Sequence, residues 1–311
     1  MTLVQLGYII AVDNLRHFAS AALHCHVTQP TLSMQIHKLE QELGVKLFDR
    51  SKQPVIPTDT GKEIIAQARK TLSEFDGINN IVQSRQGILS GELRVGIIPT
   101  LAPYLLPLFV QNFSRNYPKV KLIVNEMTTE LIIARLREGR IDVAILVTPL
   151  QEKGIKEYIL FYEKLVAYVS RKNALYKKTY LLSKDIDPKK LWLLEEGHCF
   201  RSQIMNLCEL QKAGKEESYF EYEAGSIETL RRMVELNDGI TILPELATMD
   251  LHRSQKQLLR QFKKPSPMRE VSLVVHRDFM KKKLVEIFRE TIIASIPEEI
   301  KKNKGALVMP V

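Results

Sequence analysis

The sequence predicts an α/β protein in consecutive parts: a helix-turn-helix over residues 1–58, a linking helix and hinge over 59–90, a larger α/β region over 91–300, and a basic tail over 301–311. Three observations support this. Leu32, Ile36, Leu39 and Leu43 stand at i, i+4, i+7 and i+11, the spacing of one buried helix stripe. From Ile65 to Val82 key positions recur at alternating steps of three and four. Beyond Leu93, short apolar runs alternate with helical patterns, the order that builds α/β domains.

Composition narrows the class. The chain has 311 residues, 45% hydrophobic and 26% charged, as expected of a soluble globular protein of two or three domains. The longest apolar candidate, Leu101–Val110, contains Pro103 and Pro107 and falls short of the roughly 18 residues that span a bilayer. The first residues lack a basic region and a small-residue cleavage site, so a cytoplasmic protein with reduced thiols is expected. Three cysteines do not make a disulfide framework. The net charge of +9 suggests an anionic partner, but residues 1–60 are net neutral, while 253–304 carry fourteen basic against six acidic groups. Runs such as Lys281-Lys282-Lys283 fit a solvated surface better than a binding groove, so charge alone assigns no function.

The N-terminal elements follow in order. Leu3, Leu6 and Ile10 predict a first helix, and Phe18–Leu23, with three alanines, a short second one. Thr28 is suited to cap a third helix, Pro30 is tolerated in its first turn, and Gly44 ends it. With Leu32, Ile36 and Leu39 facing inward, Gln29, Pro30, Thr31, Met34, Gln35 and Lys38 face out or lie at the N-terminal rim. Gln pairs bidentately with adenine, Thr meets the thymine methyl, and a helix N-terminus attracts phosphate. Spacing alone fits an ordinary amphipathic helix equally well. His24-Cys25-His26 invites a metal reading, but adjacent residues rarely point at one ion and no second ligand pair follows. No metal site or cofactor is expected, and Cys25 reads as a small residue packed in the turn.

After Pro54 and Pro57, Thr58-Asp-Thr-Gly-Lys signals a further helix. Ile65, Ala68, Leu72, Phe75, Asn79 and Val82 form a heptad-like seam with a polar position that would fix register. A helix packed on its own domain fits the same pattern. Candidate strands beyond it are Leu93–Ile98, Val120–Asn125, Asp142–Val147, Leu165–Val169, Trp192–Leu194, Tyr219–Glu223, Ile240–Leu243 and Val271–His276. Helices are expected near Tyr104–Asn116, Thr129–Glu138, Arg201–Cys208 and Ile227–Asn237, over largely parallel sheets. No phosphate-binding glycine loop, nucleophile elbow or zinc-protease motif appears, so enzyme chemistry lacks support. Thr100 and Thr129 stand where strands give way to helices and read as N-caps whose hydroxyls also face a crevice.

Cys199 follows Gly197 and is expected at a helix N-terminus, where unpaired N–H groups favour a thiolate, with His198 and Arg201 acting in the same direction. Cys208 lies nine residues on, about 13.5 Å away along a helix and on its opposite face. A disulfide needs Cα atoms within about 7 Å, so the two bond only if the helix unwinds. On residues alone, two unrelated cysteines, one near a cap and one in a core, fit as well.

A resemblance adds to this reading. Ala-Ala-x-x-Cys-x-Val-Thr-Gln-Pro-Thr-Leu-Ser-x-Gln-Ile-x-Lys-Leu-Glu-x-Glu-Leu-Gly-Val-x-Leu-Phe-x-Arg, from Ala21 to Arg50, resembles the winged helix-turn-helix of LysR-type transcriptional regulators. Leu-Glu-x-Gly-His-Cys-x-Arg-x-Gln-x-Met around Cys199 resembles the hydrogen-peroxide-sensing members of that family. So do Ile98-Pro-Thr100, Pro103-Tyr-Leu-Leu-Pro107, Glu228-Thr-Leu-Arg and Gly239-Ile-Thr-Ile-Leu-Pro. The resemblance implies a two-lobe effector domain like that of periplasmic binding proteins, lobe I being 91–163 with 268–300 and lobe II 164–267. It implies DNA contacts from Thr28, Gln29, Pro30, Thr31, Ser33, Met34, Gln35, Lys38 and Arg50, and a dimerising linker helix. It further implies a Cys199–Cys208 redox pair and a peroxide pocket shaped by Thr100, Thr129, His198, Arg201 and Arg269. The expected partners are double-stranded promoter DNA, hydrogen peroxide, RNA polymerase and further copies of the chain, as a dimer of dimers, with no membrane. A regulator of a small organic effector, or a thiol-dependent peroxide-reducing enzyme, is the alternative; the helix-turn-helix has no use in the latter.

Overall fold

The computed structural model describes residues 1–311 except 86–88, 195–198, 209–224, 278, 280, 305–306 and 310–311; at 73, 76, 79–85 and 199 it describes the backbone alone. The chain forms two compact units, Met1–Leu89 with Arg137–Arg140, and Ser90–Leu136 with Ile141–Val311.

In the first unit, α1 (Leu3–Leu15), α2 (Phe18–His24) and α3 (Gln29–Leu43) precede a small hairpin of β1 (Phe48–Asp49) and β2 (Ile56–Pro57), and α4 (Asp59–Arg85) follows. Thr28 caps α3 by accepting from the Thr31 N–H at 3.4 Å, Pro30 lies in the first turn, and Gly44 ends the helix at φ +69°, where a side chain would be strained. Leu32, Ile36 and Leu39 are wholly buried, as their spacing predicts. The α1 face differs from expectation. Leu6, Ile9 and Val12 are buried while Leu3 is 38% exposed, because Gln5 and Asp13 also turn inward to polar partners. Gly61 lets α4 start against the hairpin: a Cβ there would meet the Leu47 carbonyl oxygen at 2.1 Å.

The linker seam also needs correction. Ile65 and Ala68 are 2% and 3% exposed and join the core of their own unit, with Leu72 packed beside them. Those positions are used within the chain, so they are not free to form a seam with a second copy. Phe75 and Ile78, 47% and 60% exposed, remain open on α4. The side chains of Asn79 and Val82 lie outside the described residues.

In the second unit, β3 (Gly91–Ile97) lies parallel to β4 (Val120–Glu126) and β5 (Val143–Thr148), connected through α5 (Ala102–Asn116) and α6 (Thr129–Arg137). β6 (Ile155–Val169) is long. Its first half pairs with β10 (Met268–His276), and its second half with β8 (Ile240–Pro244) and β9 (Leu259–Phe262), which is joined by β7 (Tyr180–Leu181). The expected largely parallel sheets are thus corrected to a mixed arrangement: β10 and β6 each pair antiparallel to every strand they adjoin. The reason is that β6 and β10 carry the chain between the two lobes rather than returning through a crossover helix.

Lobe I packs α5 and α10 (Lys282–Ser295) through Phe109 and Phe113, whose rings meet Phe288 edge-on at 5.4 and 5.3 Å. Lobe II builds a separate core from Leu165, Tyr168, Ile240 and Ile242 with Phe200 and Ile204 of α7 (Cys199–Leu207) and Leu230 and Val234 of α8 (Ile227–Leu236). Trp192–Leu194 is not a strand: Leu191 makes only an isolated bridge to Ile240. Tyr219–Glu223 lies outside the described residues. Short helices α9 (Arg253–Lys256) and α11 (Glu298–Lys301) complete the fold.

Candidate functional site

Two sites emerge, one in each unit. On α3, Thr28, Gln29, Pro30, Met34 and Lys38 are exposed, while Thr31, Ser33 and Gln35 are half-buried. The face is therefore presented as the stripe predicts, but its members differ in freedom. The Thr31 hydroxyl lies 2.8 Å from that of Thr28, and the Gln35 side-chain oxygen accepts from Gln5 Nε2 at 3.3 Å. Arg50 is already engaged: it donates to Ser33 Oγ at 3.0 Å and Glu40 Oε2 at 3.3 Å, and stands 4.8 Å over the Phe18 ring. Glu40 is the residue sequence reasoning missed. It is 3% exposed, and its other oxygen accepts from the Leu47 amide at 2.8 Å. One buried carboxylate thus locks the hairpin to the outward helix, setting two surface elements in fixed register.

The second site gathers residues distant in sequence. β3 and β4 are parallel neighbours with Ile97 paired to Glu126, so Thr100 and Thr129 occupy equivalent places just past their carboxyl ends. Neither acts as the N-cap expected of it. Leu101 holds the cap position of α5 without a side-chain bond, and Thr129 is the first residue inside α6. Thr100 Oγ1 instead accepts from Arg269 Nη1 at 3.0 Å, and its carbonyl from Nη2 at 3.2 Å. Because that oxygen accepts, the Thr100 hydroxyl proton is left to be donated elsewhere. Thr129 is 6% exposed and its hydroxyl has no partner among the described residues. Such orphans are uncommon, and each asks for a ligand or a water.

Arg269 is wholly buried. Its Nε donates to Glu163 Oε2 at 2.7 Å, and its guanidinium lies 5.2 Å from the Phe200 ring, beside Cys199 in sequence. Glu163 is also wholly buried, with its second oxygen on the Leu246 amide at 2.7 Å. Burial pushes this carboxyl above its ordinary range, against the pull of Arg269 and the Leu246 N–H. Glu163 was not foreseen, since a lone glutamate in a strand carries no sequence signal. One guanidinium N–H of Arg201 donates to the Leu194 carbonyl at 2.7 Å, bracing α7 against the end of the preceding segment.

Cys199 opens α7, as predicted, so its backbone sits where the helix dipole favours an anion. Its side chain and His198 lie outside the described residues. Cys208 directly follows α7, its amide bonded to the Ile204 carbonyl at 3.0 Å. Burial pushes its thiol up to about 11, so it is protonated and weakly nucleophilic where it stands. Across the lobes, the Tyr104 hydroxyl on α5 donates to Glu228 on α8 at 3.0 Å. Cys25 is half-buried against the first unit's core. Among the described residues, no group of three His, Cys, Asp or Glu is placed to hold a metal, and no helix is long and apolar enough to cross a membrane.

A helix-turn-helix with a two-stranded wing, a long linking helix and a two-lobe α/β unit define a class. The chain belongs to the LysR family of bacterial regulators: residues 3–62 match the family's helix-turn-helix and 86–296 its LysR substrate binding domain. Among its relatives, a hydrogen peroxide-inducible genes activator of Dickeya chrysanthemi is 36% identical over 88% of this chain and 89% of its own length. The DNA-binding transcriptional dual regulator OxyR of Escherichia coli K12 is 35% identical over 88% of this chain and 89% of its own. A full-length Pseudomonas aeruginosa OxyR with a cysteine replaced by aspartate superposes with a TM-score of 0.80 at 34% identity, covering 94% of this chain and 98% of that one.

Proposed function

We propose that this protein is a cytoplasmic, hydrogen-peroxide-responsive activator of transcription, switched by a disulfide between Cys199 and Cys208. The observation that supports it most is the buried Thr129 hydroxyl, without a partner among the described residues, past the end of the strand next to the one that leads to Thr100, whose hydroxyl oxygen is held by Arg269. A small molecule that both donates and accepts hydrogen bonds satisfies such a pair, and hydrogen peroxide has that size and chemistry. The relatives named for peroxide induction support the same reading.

The chemistry balances with peroxide alone. The Cys199 thiolate attacks one peroxide oxygen, the O–O bond breaks, and the departing hydroxide takes a proton to leave as water. Thr100 and Thr129 position the two oxygens, and His198 stands beside the thiol in sequence. The Cys208 thiolate then attacks the Cys199 sulfenic sulfur, the S–O bond breaks, and a second water departs. Arg201 serves this reading as the brace of α7, with its remaining N–H groups available to the pocket.

The second step requires motion. While α7 stays helical the thiols are too far apart, so Phe200, Ile204, Met205 and Leu207 must repack. Phe200 and Ile204 are wholly buried, and exposing each costs about 1.5–3 kcal/mol, so opening stays rare until the disulfide holds it. In a domain that also contacts other copies, such repacking changes half-site spacing on DNA. In this reading residues 1–58 bind promoter DNA, 59–90 link and dimerise through exposed residues such as Phe75, 91–300 sense, and the assembly acts on RNA polymerase. Cys199→Ser tests it: peroxide-dependent transcription is lost while the reduced protein's promoter footprint persists. Activation by peroxide in that variant places the sensor elsewhere.

A further inference from the structure

The tail beyond α11, expected as a solvated basic segment, is solvated only in part. Lys302 and Lys304 are exposed, but Asn303 and Leu307–Met309 bond back onto the sensing unit. Asn303 Nδ2 donates to the Tyr162 carbonyl at 3.1 Å and to Glu245 Oε2 at 2.8 Å. Val308 then bridges Met268 in parallel: the Met268 amide donates to the Leu307 carbonyl at 2.8 Å, and the Met309 amide to the Met268 carbonyl at 2.8 Å. Met309 enters the lobe II core, in the same cluster as Phe200 and Ile204 of α7.

The position of this bridge gives it meaning. Met268 immediately precedes Arg269, and the Leu165 amide bonds the Pro267 carbonyl at 2.9 Å, so both chain crossings between lobes lie here. The tail adds a bridge at that crossing. It also reaches α7 directly, because wholly buried Gln203 donates Nε2 to the Met309 carbonyl at 3.0 Å. The other end of the same side chain, Gln203 Oε1, is buried without a partner among the described residues. Gln203 is therefore tied to the tail through its donor alone, and this one bond joins α7 to Met309.

We infer that Leu307–Met309 is an intramolecular latch on the redox helix, and that Gln203 is the positioning residue through which it holds α7 shut. This rests on the disulfide reading. The latch leaves attack of Cys199 on peroxide untouched and governs only closure of the second bond, when Cys208 must emerge. Closure removes Gln203 from the Met309 carbonyl and frees the tail, so the tail sets how readily sulfenic acid becomes disulfide.

The test uses full-length protein in wild-type form, as Gln203→Met, and truncated after Gly305. Sulfenic acid at Cys199 is trapped with dimedone and disulfide is quantified by quenched alkylation and peptide mass spectrometry. The inference expects an unchanged rate of Cys199 oxidation in all three. Closure is expected to be about 2- to 10-fold faster in Gln203→Met, the weight of one net hydrogen bond. The truncation, which also uncovers the Met309 site, is expected to exceed that. In wild-type protein, hydrogen exchange of the Met309 amide rises on oxidation. Closure at the wild-type rate in Gln203→Met, or a Met309 amide still protected in disulfide-verified protein, overturns the latch. Absence of the disulfide in wild-type protein overturns the switch reading instead. If the truncated chain does not fold, Gln203→Met and the wild-type exchange measurement decide.

Discussion

Replacing Arg269 with Met removes the positive partner of a carboxylate that has nowhere else to go. Glu163 is wholly buried and keeps only the Leu246 amide once the 2.7 Å contact to Arg269 Nε is lost. Breaking one side of a buried ion pair costs about 3–5 kcal/mol, because the remaining charge is stranded. For a unit of this size each kcal/mol moves the melting point by about 2–4 °C, so Arg269→Met should melt on the order of 10 °C lower. The chain's single tryptophan, Trp192, bonds Ile240 in the affected unit, so its fluorescence reports that transition. The double variant Arg269→Met/Glu163→Gln exchanges the stranded charge for a neutral amide and should recover half or more of the loss. The pH dependence follows in sign. Without Arg269 the Glu163 carboxyl rises further, and a raised carboxyl contributes stability at low pH that disappears as pH increases. The deficit of Arg269→Met should therefore shrink as pH falls from 7 towards 5, whereas the double variant should show no such change. A double variant no more stable than the single one would refute the stranded-charge reasoning.

Three further outcomes follow from the geometry. Thr129→Val removes a hydroxyl with no partner among the described residues, so stability should change by less than about 1 kcal/mol while Cys199 oxidation slows about tenfold, measured by stopped flow against peroxide concentration. Raising the pH towards 9 should accelerate disulfide closure as the emerged Cys208 ionises, and reduced α7 should lose exchange protection as pH climbs from about 9 towards 11, since its raised thiol stabilises the closed form only while protonated. Gln29→Ala should weaken a specific promoter site about tenfold and leave random DNA unaffected, whereas Glu40→Ala, by freeing the hairpin from α3, should weaken both in a gel-shift titration.

What the sequence revealed and what it hid have the same physical root. Periodicity reports which face of a helix is apolar, so Leu32, Ile36 and Leu39 were legible behind the Thr28 cap. It does not report what covers that face, and Ile65 and Ala68 therefore read as a seam between copies when they fill their own core. Alternation of strands and helices located β3 to β5 but not strand direction, because β6 and β10 cross between lobes without a helix to mark the turn. Glu40 and Glu163 were invisible for another reason. A buried carboxylate is identified by its partner, and Glu163 finds Arg269 across more than a hundred residues of chain. The two threonines were legible at the junctions of strand and helix, Arg269 and the peroxide role came from resemblance, and the hydrogen bond that prepares Thr100 came only from the structure. Val308 and Met309 lie in too short a stretch to show any period.

The central claim is that peroxide joins Cys199 to Cys208 by opening α7. Hydrogen exchange over residues 200–208, followed in reduced protein and in protein shown by peptide mass spectrometry to carry that bond, measures it most directly. The account predicts that the amides now bonded along α7, including Cys208 to Ile204, lose protection in the oxidised protein and regain it on reduction. Disulfide-bearing protein whose 200–208 amides remain as protected as in the reduced form would contradict it.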